Sequence, residues 1–373
     1  MAVNLFDKLK EAVDVSLYSP ADVTTGSVHV RDSINHKRVM SIIMLALLPC
    51  ILMALWNSGY QANLTLNQML AAGQIDILPR LSDYTSICAN MTKGLWTFLP
   101  MLIVVMLTQA VWVAIFASMR KKNITTGFLV TSVLIVLLMP PTAPLWQVAL
   151  ATSFGVVIGS EIFGGIGMNF LSPALLAWVF MSLAYSGSMS GDAVWTAVDG
   201  YAGATPLAMA LSDGVSGLSA QGISWQAAFL GTIPGTMGET SALACLFGAV
   251  ILLVTGIASW RIIVSTLIGV VGFASILCMF NSEAMSPAWH LVLGGLAFGI
   301  VFLATDHSSS SMTVKGQWIC GLLIGFLIVA VRVYNPTMPE SVGIILLFGS
   351  VLAPFVDRLI VNAHIKKRKS RHV

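Results

Sequence analysis

Long apolar runs, joined by short polar stretches, decide what this chain can become. Runs at about 39–57, 94–118, 124–140, 144–161, 170–186, 239–258, 261–280, 287–304, 316–332 and 341–361 each approach the length that crosses a hydrocarbon layer of ~30 Å. Only 9% of the residues are charged, against about 25% in a soluble domain. In lipid the backbone must bond within its own segment, so such runs fold as helices. The expected fold is an all-α integral membrane protein of about ten transmembrane helices. An even number puts both termini on one side.

Basic residues choose that side, because lysine and arginine collect on the cytoplasmic face. Of the 19 lysines and arginines, all but Arg80, Lys93 and Arg332 fall on one face of this map. The termini are therefore expected in the cytoplasm and the 186–238 loop outside. Residues 1–38 read as a cytoplasmic amphipathic helix followed by a basic linker, with Val3, Phe6, Leu9 and Val13 at helical spacing. Residues 39–361 form the membrane domain, and 362–373 a basic cytoplasmic tail. The polar stretch 58–93, opened by Asn57-Ser58-Gly59-Tyr60-Gln61-Ala62-Asn63, reads as a second outer loop. Pro144-Leu145-Trp146 and Pro287-Ala288-Trp289 each open a span that ends on an acid, Glu161 or Asp306, an echo that suggests an internal two-fold repeat.

Within the 186–238 loop, Asp199-Gly200-Tyr201-Ala202-Gly203-Ala204-Thr205-Pro206 brings glycines, a small alanine and a hydroxyl beside one acid. Gly200 and Gly203 permit sharp turning and close approach of a bulky group. Pro206 biases Thr205 to an extended backbone. The stretch reads either as a surface turn or as a hydroxyl presented for covalent attachment. Toward the cytoplasm, Glu161-Ile162-Phe163-Gly164-Gly165-Ile166-Gly167-Met168-Asn169-Phe170-Leu171-Ser172 breaks the helix with three glycines. Here Asn169 could cap the next helix or read the edge of a bound ring. Pro234-Gly235-Thr236-Met237-Gly238-Glu239-Thr240 closes the outer loop; Thr236 or Gly238 could cap the sixth span, with Glu239 suiting the helix dipole. The acids Glu161, Asp306 and Asp357 sit at cytoplasmic span ends, where solvation or pairing is the ordinary state.

Five scattered cysteines, without a Cys-x-x-Cys pair, give no iron–sulfur or zinc pattern, and no metal site is expected. There is no nucleotide loop, dinucleotide fingerprint or hydrolase triad, and nothing that suggests nucleic acid as a partner.

The segment Met189 to Val198, the Asp199 to Thr205 stretch, Gly59-Tyr60-Gln61-Ala62-Asn63, Gly238-Glu239-Thr240-Ser241, Thr305-Asp306, Asn335-Pro336 and Ala353-Pro354 resemble the B subunit of the bacterial sodium-translocating NADH:ubiquinone reductases. The resemblance implies a translocase component of the cell inner membrane, with the FMN-bearing loop periplasmic. FMN would be joined to Thr205 by a phosphodiester in a loop that includes Asp199, Gly200, Gly203 and Ala204. Non-covalent riboflavin would lie at Asn169, Gly165, Gly167 and Ser172. Gly238 and Glu239 would edge the outer flavin pocket. Electrons would pass from FMN of the C subunit to FMN on Thr205, to riboflavin and to ubiquinone, with sodium moved outward. The partners would be the A, C, D, E and F subunits, and the NADH site would lie on one of them. Two departures stand out: Ala202 where the family has serine or threonine, and Ser172 where it has a second asparagine. A sister family, the D subunit of the Rnf complex, carries a similar threonine. A cofactor-free secondary transporter with broken helices is the alternative of another class.

Overall fold

The structure, a computed structural model, describes residues 26–27, 36–75, 82–120, 127–165, 167–189, 194–198, 200–201, 203–280, 285–335 and 340–371. The amphipathic stretch 2–15 and Asp199 lie outside the described residues. Among the described residues every regular element is helical, and five helices are long and apolar enough to cross a membrane. Together with shorter apolar helices they make a multi-pass membrane protein. Leu99, Ile103, Leu107, Val250, Ile268 and Phe326 are exposed along these helices, an apolar exterior suited to lipid.

The first two helices, α1 (His36–Ala71) and α2 (Ile87–Arg120), correct the expected outer loop. The 36 residues of α1 rise about 54 Å, well beyond the hydrocarbon layer. The polar run at 57–63 is therefore helical, and its polarity serves packing between helices. Asn63 donates to the Asn90 side chain at 2.9 Å, Asn57 to the Ile233 carbonyl at 2.9 Å, and Asn67 to the Ser82 carbonyl at 2.8 Å. The helices cross closely because Gly59 and Gly94 lack side chains: a Cβ on Gly94 would strike the Leu55 carbonyl, and one on Gly59 that of Asn90.

Next come α3 (Phe128–Leu138), α4 (Leu145–Val156) and α5 (Pro173–Ala184). The Pro140-Pro141 pair follows the end of α3 and forbids continuation. Its free carbonyls are then taken by another segment: Gly238 N–H donates to Leu137 O at 2.8 Å and Met237 N–H to Met139 O at 3.3 Å. Helix α4 widens into a π-helical turn at Val157–Glu161.

The 186–238 segment is more structured than a polar loop. It holds α6 (Pro206–Ser212), α7 (Gly214–Ala220) and α8 (Trp225–Leu230) around a small core of Leu207, Leu218, Ala228 and Leu293.

Helices α9 (Ala242–Val254) and α10 (Trp260–Phe280) follow. The next span is broken: α11 (Pro287–Val292) stops, Gly294 and Gly295 adopt φ of 68° and 67°, and α12 (Leu296–Phe298) resumes and widens into a π turn at Gly299–Leu303. Both spans of the sequence echo thus end in a π turn. Helices α13 (Val314–Tyr334) and α14 (Val342–Lys369) close the chain, and α14 carries the basic tail without interruption to Lys369. The α10–α13 contact is again made close by glycine, since a Cβ on Gly325 would strike the Thr266 carbonyl.

Substituting leucine at Gly94 forces α1 and α2 apart. The expected cost is about 1–3 kcal/mol or more, seen as a lower thermal midpoint of the purified chain. Gly272→Ala, whose new methyl meets nothing within 4 Å, is expected to leave that midpoint unchanged or slightly raised.

Candidate functional site

Two chambers form where helices break. The outer one lies where the 233–240 turn, the Gly294-Gly295 break, the start of α6 and Glu340 meet, and encloses about 340 Å³ of space, part of it open to the surface. Thr205 is on its wall. Its backbone is extended (φ −67°, ψ 148°), as Pro206 requires, and its Oγ accepts the Ala208 N–H at 3.2 Å, capping α6. Thr205 is only 5% exposed, so the hydroxyl faces a chamber inside the protein instead of standing out from the loop. Gly200 has φ 80°, a conformation for which glycine is suited. The space beside Gly203 is filled by the Tyr201 ring, so Gly203 makes room for that ring and not for a phosphate. Ala204 packs against the small outer core.

The 233–240 turn differs from the capping role read for it. Ser241, not Thr236 or Gly238, caps α9, accepting the Ala244 N–H at 3.2 Å. Gly238 pairs with the end of α3, and a side chain there would strike Leu137. Glu239 lines the chamber, accepts the Thr236 hydroxyl, and lies against Gly295, whose missing side chain leaves room for the carboxylate.

Behind this chamber lies Arg332, fully buried on α13. Its guanidinium donates to the carbonyls of His290 at 3.0 Å, Leu293 at 2.9 Å and Gly294 at 2.8 Å. Those are the carbonyls that the glycine break releases. The charges of Glu239 and Glu340 both act on Arg332. Sequence reasoning misses Arg332, Glu340 and the glycine pair as parts of a site. The signal that could have found them is Arg332 itself, an ionisable residue inside an apolar run and off the basic face.

The inner chamber encloses about 740 Å³, part of it open to the surface, with Met40, Ile43, Leu134 and Phe302 as apolar walls and Asn169, Ser172 and Asp306 among the polar ones. Gly164, Gly165 and Gly167 turn with φ of 126°, 102° and 91°, so the break needs its glycines. Gly165 and Gly167 build the turn without lining the chamber. Asn169 does not cap α5. Its Oδ1 accepts the Gly167 N–H at 3.0 Å, and its amide donates to Leu171 O at 2.7 Å and Ser308 Oγ at 3.3 Å. It therefore staples its own turn to the exit of the echoed span. Ser172 opens α5 without using its hydroxyl as a cap, and that hydroxyl faces the chamber. The three acids are held: Glu161 pairs with Arg120 at 3.0 Å, Asp306 accepts the hydroxyls of Ser308 and Ser309, and Asp357 gathers Ser311, Met312 and Thr313 at the start of α13.

Residues 23–366 match the NQR2, RnfD, RnfE family. The chain belongs to that family. Similar proteins include the B subunit of the Na(+)-translocating NADH-quinone reductase of Ectopseudomonas mendocina (strain ymp), 47% identical over 98% of this chain and 94% of the relative. The protein of the same name from Azotobacter vinelandii (strain DJ / ATCC BAA-1303) is also 47% identical over the same shares. That of Pseudomonas aeruginosa (strain UCBPP-PA14) is 44% identical, again over 98% and 94%. The family resemblance read from the motifs is thus borne out across nearly the whole chain.

For this member of the NQR2, RnfD, RnfE family, Arg332→Leu should be severe. It leaves three carbonyls without donors inside the protein, each costing about 1–3 kcal/mol. The expected result is loss of folded protein from the membrane fraction, with Arg332→Lys intermediate because an ammonium cannot fork across three acceptors.

Proposed function

We propose that this chain is the B subunit of a sodium-translocating NADH:quinone reductase, working in the bacterial inner membrane with the other subunits of that complex. The observation that carries this reading is the 47% identity, over nearly the full length, to relatives bearing that name. The family also contains Rnf subunits, but the relatives cited above at 44–47% identity are all quinone-reductase subunits. Co-purification with an NADH-oxidising flavoprotein subunit is the expected partner result.

FMN would then be carried at the wall of the outer chamber and riboflavin bound in the inner one. Bound flavins supply one- and two-electron transfer; the chain's own residues hold them and keep water away. In the outer chamber, Thr205 would carry FMN through its Oγ. The fit rests on an extended, proline-fixed threonine on the wall of a chamber that Glu239 also lines. Because Thr205 is nearly covered, attachment would precede full packing of the chain around it. In the inner chamber the character of the walls suits riboflavin: mostly apolar, with a few convergent polar groups. Ser172 offers its unused hydroxyl and Asn169 keeps the turn in shape. Ten spans, both termini in the cytoplasm and Thr205 on the periplasmic side belong to the same reading, argued from the placement of lysine and arginine.

Three measurements check this. Thr205→Ala should give a chain of normal size and membrane insertion with no in-gel flavin fluorescence; a fluorescent band would remove Thr205 from the role. Asn169→Ala should lower the non-covalent riboflavin of the purified complex more than Ser172→Ala does, with covalent FMN intact; unchanged riboflavin in both would empty the inner chamber of its proposed ligand. An alkaline phosphatase fusion should be active after Ala220 and silent after Val373, and the reverse pattern would overturn the topology.

A further inference from the structure

The outer chamber gathers two acids whose oxygens the protein leaves largely unpaired. Glu239 and Glu340 are both on its wall, and Arg332 lies behind it, bonded to the Gly294 carbonyl of the same wall. The guanidinium is committed to three backbone carbonyls, and no carboxylate among the described residues lies within ion-pair distance of it. Glu340 has no hydrogen-bond partner among the described residues, whereas Glu239 takes only the Thr236 hydroxyl. Carboxyl oxygens left without donors remain open to a ligand that supplies positive charge.

A second observation points to what does. Thr240 is 5% exposed and on the same wall, and its hydroxyl oxygen has no hydrogen-bond partner. A buried hydroxyl without a partner is uncommon and calls for a ligand. The space is small: about 20 Å³ admits the centre of a water-sized group, enough for one. Among the described residues no set of three His, Cys, Asp or Glu comes together, which argues against a transition metal. Hard cations take oxygen ligands, and carboxylate and hydroxyl oxygens are of that kind.

We propose that Glu239, Glu340 and the Thr240 hydroxyl form a binding site for one monovalent alkali cation, sodium in the working protein, in the outer chamber beside Thr205. This rests on the sodium-pumping reading above and supplies a residue-level site on the side where the ion leaves. The guanidinium of Arg332, held on the carbonyls behind the wall, puts a positive charge beside the site and so disfavours a divalent ion there. If Thr205 carries a phosphodiester, one further negative charge stands at the same chamber and strengthens the demand for a cation.

The test is equilibrium binding of radiolabelled sodium to the purified, unenergised complex, with choline chloride holding ionic strength. Glu340→Gln and Thr240→Val should each bind one sodium fewer per complex than wild type, or need at least tenfold more sodium for that ion. Excess potassium should compete poorly. Thr240→Val keeps both acids and nearly the same shape, so it decides the matter should the glutamine variant fail to assemble. Equal sodium number and affinity in wild type and Thr240→Val would overturn the site. Changed proton uptake in Glu340→Gln with sodium binding untouched would also overturn it, giving the chamber to a proton. Failure of the function reading is separate and visible beforehand: a wild-type chain without covalent flavin fluorescence.

Discussion

Backbone that leaves the helix inside a membrane protein has to find its hydrogen bonds again, and much of this fold follows from where it finds them. The Gly294-Gly295 break strips the carbonyls at the end of α11 of their helical partners. Three of them are taken by one side chain, Arg332. A lysine could not span them; a planar fork of donors can. The same rule operates at the end of α3, where prolines stop the helix and the 233–240 turn donates Met237 and Gly238 N–H groups to its last carbonyls. These two repairs bring four remote segments together. The outer chamber is the space left between them.

The cytoplasmic side solves the same problem with short polar side chains. Asn169 holds the glycine turn and reaches Ser308, and Asp306 holds the serines that follow. Asp357 gathers the start of α13 against α14 through hydroxyl and backbone donors. Each acid that sequence alone leaves undecided is thus a fastener of a helix end. The arrangement leaves few hydroxyls uncommitted, and Ser172 is one of them, at the mouth of the larger chamber.

Legibility follows the physics that each signal reports. Apolar length reports burial in lipid, so the membrane character and most span positions can be read directly. Polarity reports only that a residue seeks hydrogen bonds, not from whom. Asn57, Asn63 and Asn67 therefore read as a loop, although they lie on one helix and bond to Ile233, to Asn90 of the next helix and to Ser82. The glycine turn at 164–167 is legible because three glycines in four positions have few other uses. The Gly294-Gly295 break is not, since a glycine pair inside an apolar run also suits close helix packing. Thr205 emerges through motif resemblance and its extended backbone through Pro206. Its burial is not legible, because the cover comes from segments far along the chain. Glu239 misleads for a related reason. Three residues ahead of a helix it looks like a dipole partner, and only the absence of a side chain at Gly295 reveals where the carboxylate lies.

The two π turns bear on why the chambers sit where they do. A π turn adds a residue to the helix without ending it, which rotates everything beyond it and leaves backbone groups less well paired. The first turn ends on Glu161 and the second lies just before Asp306, and the polar exits beyond them meet at the Asn169–Ser308 hydrogen bond. The second turn puts Phe302 on the wall of the inner chamber, and Thr305 to Ser308, just beyond it, line the same chamber, so that span has an irregular inner end. Regular packing would have filled that end with side chains. The irregularity instead leaves an enclosed volume with polar groups at its rim, within an otherwise apolar bundle.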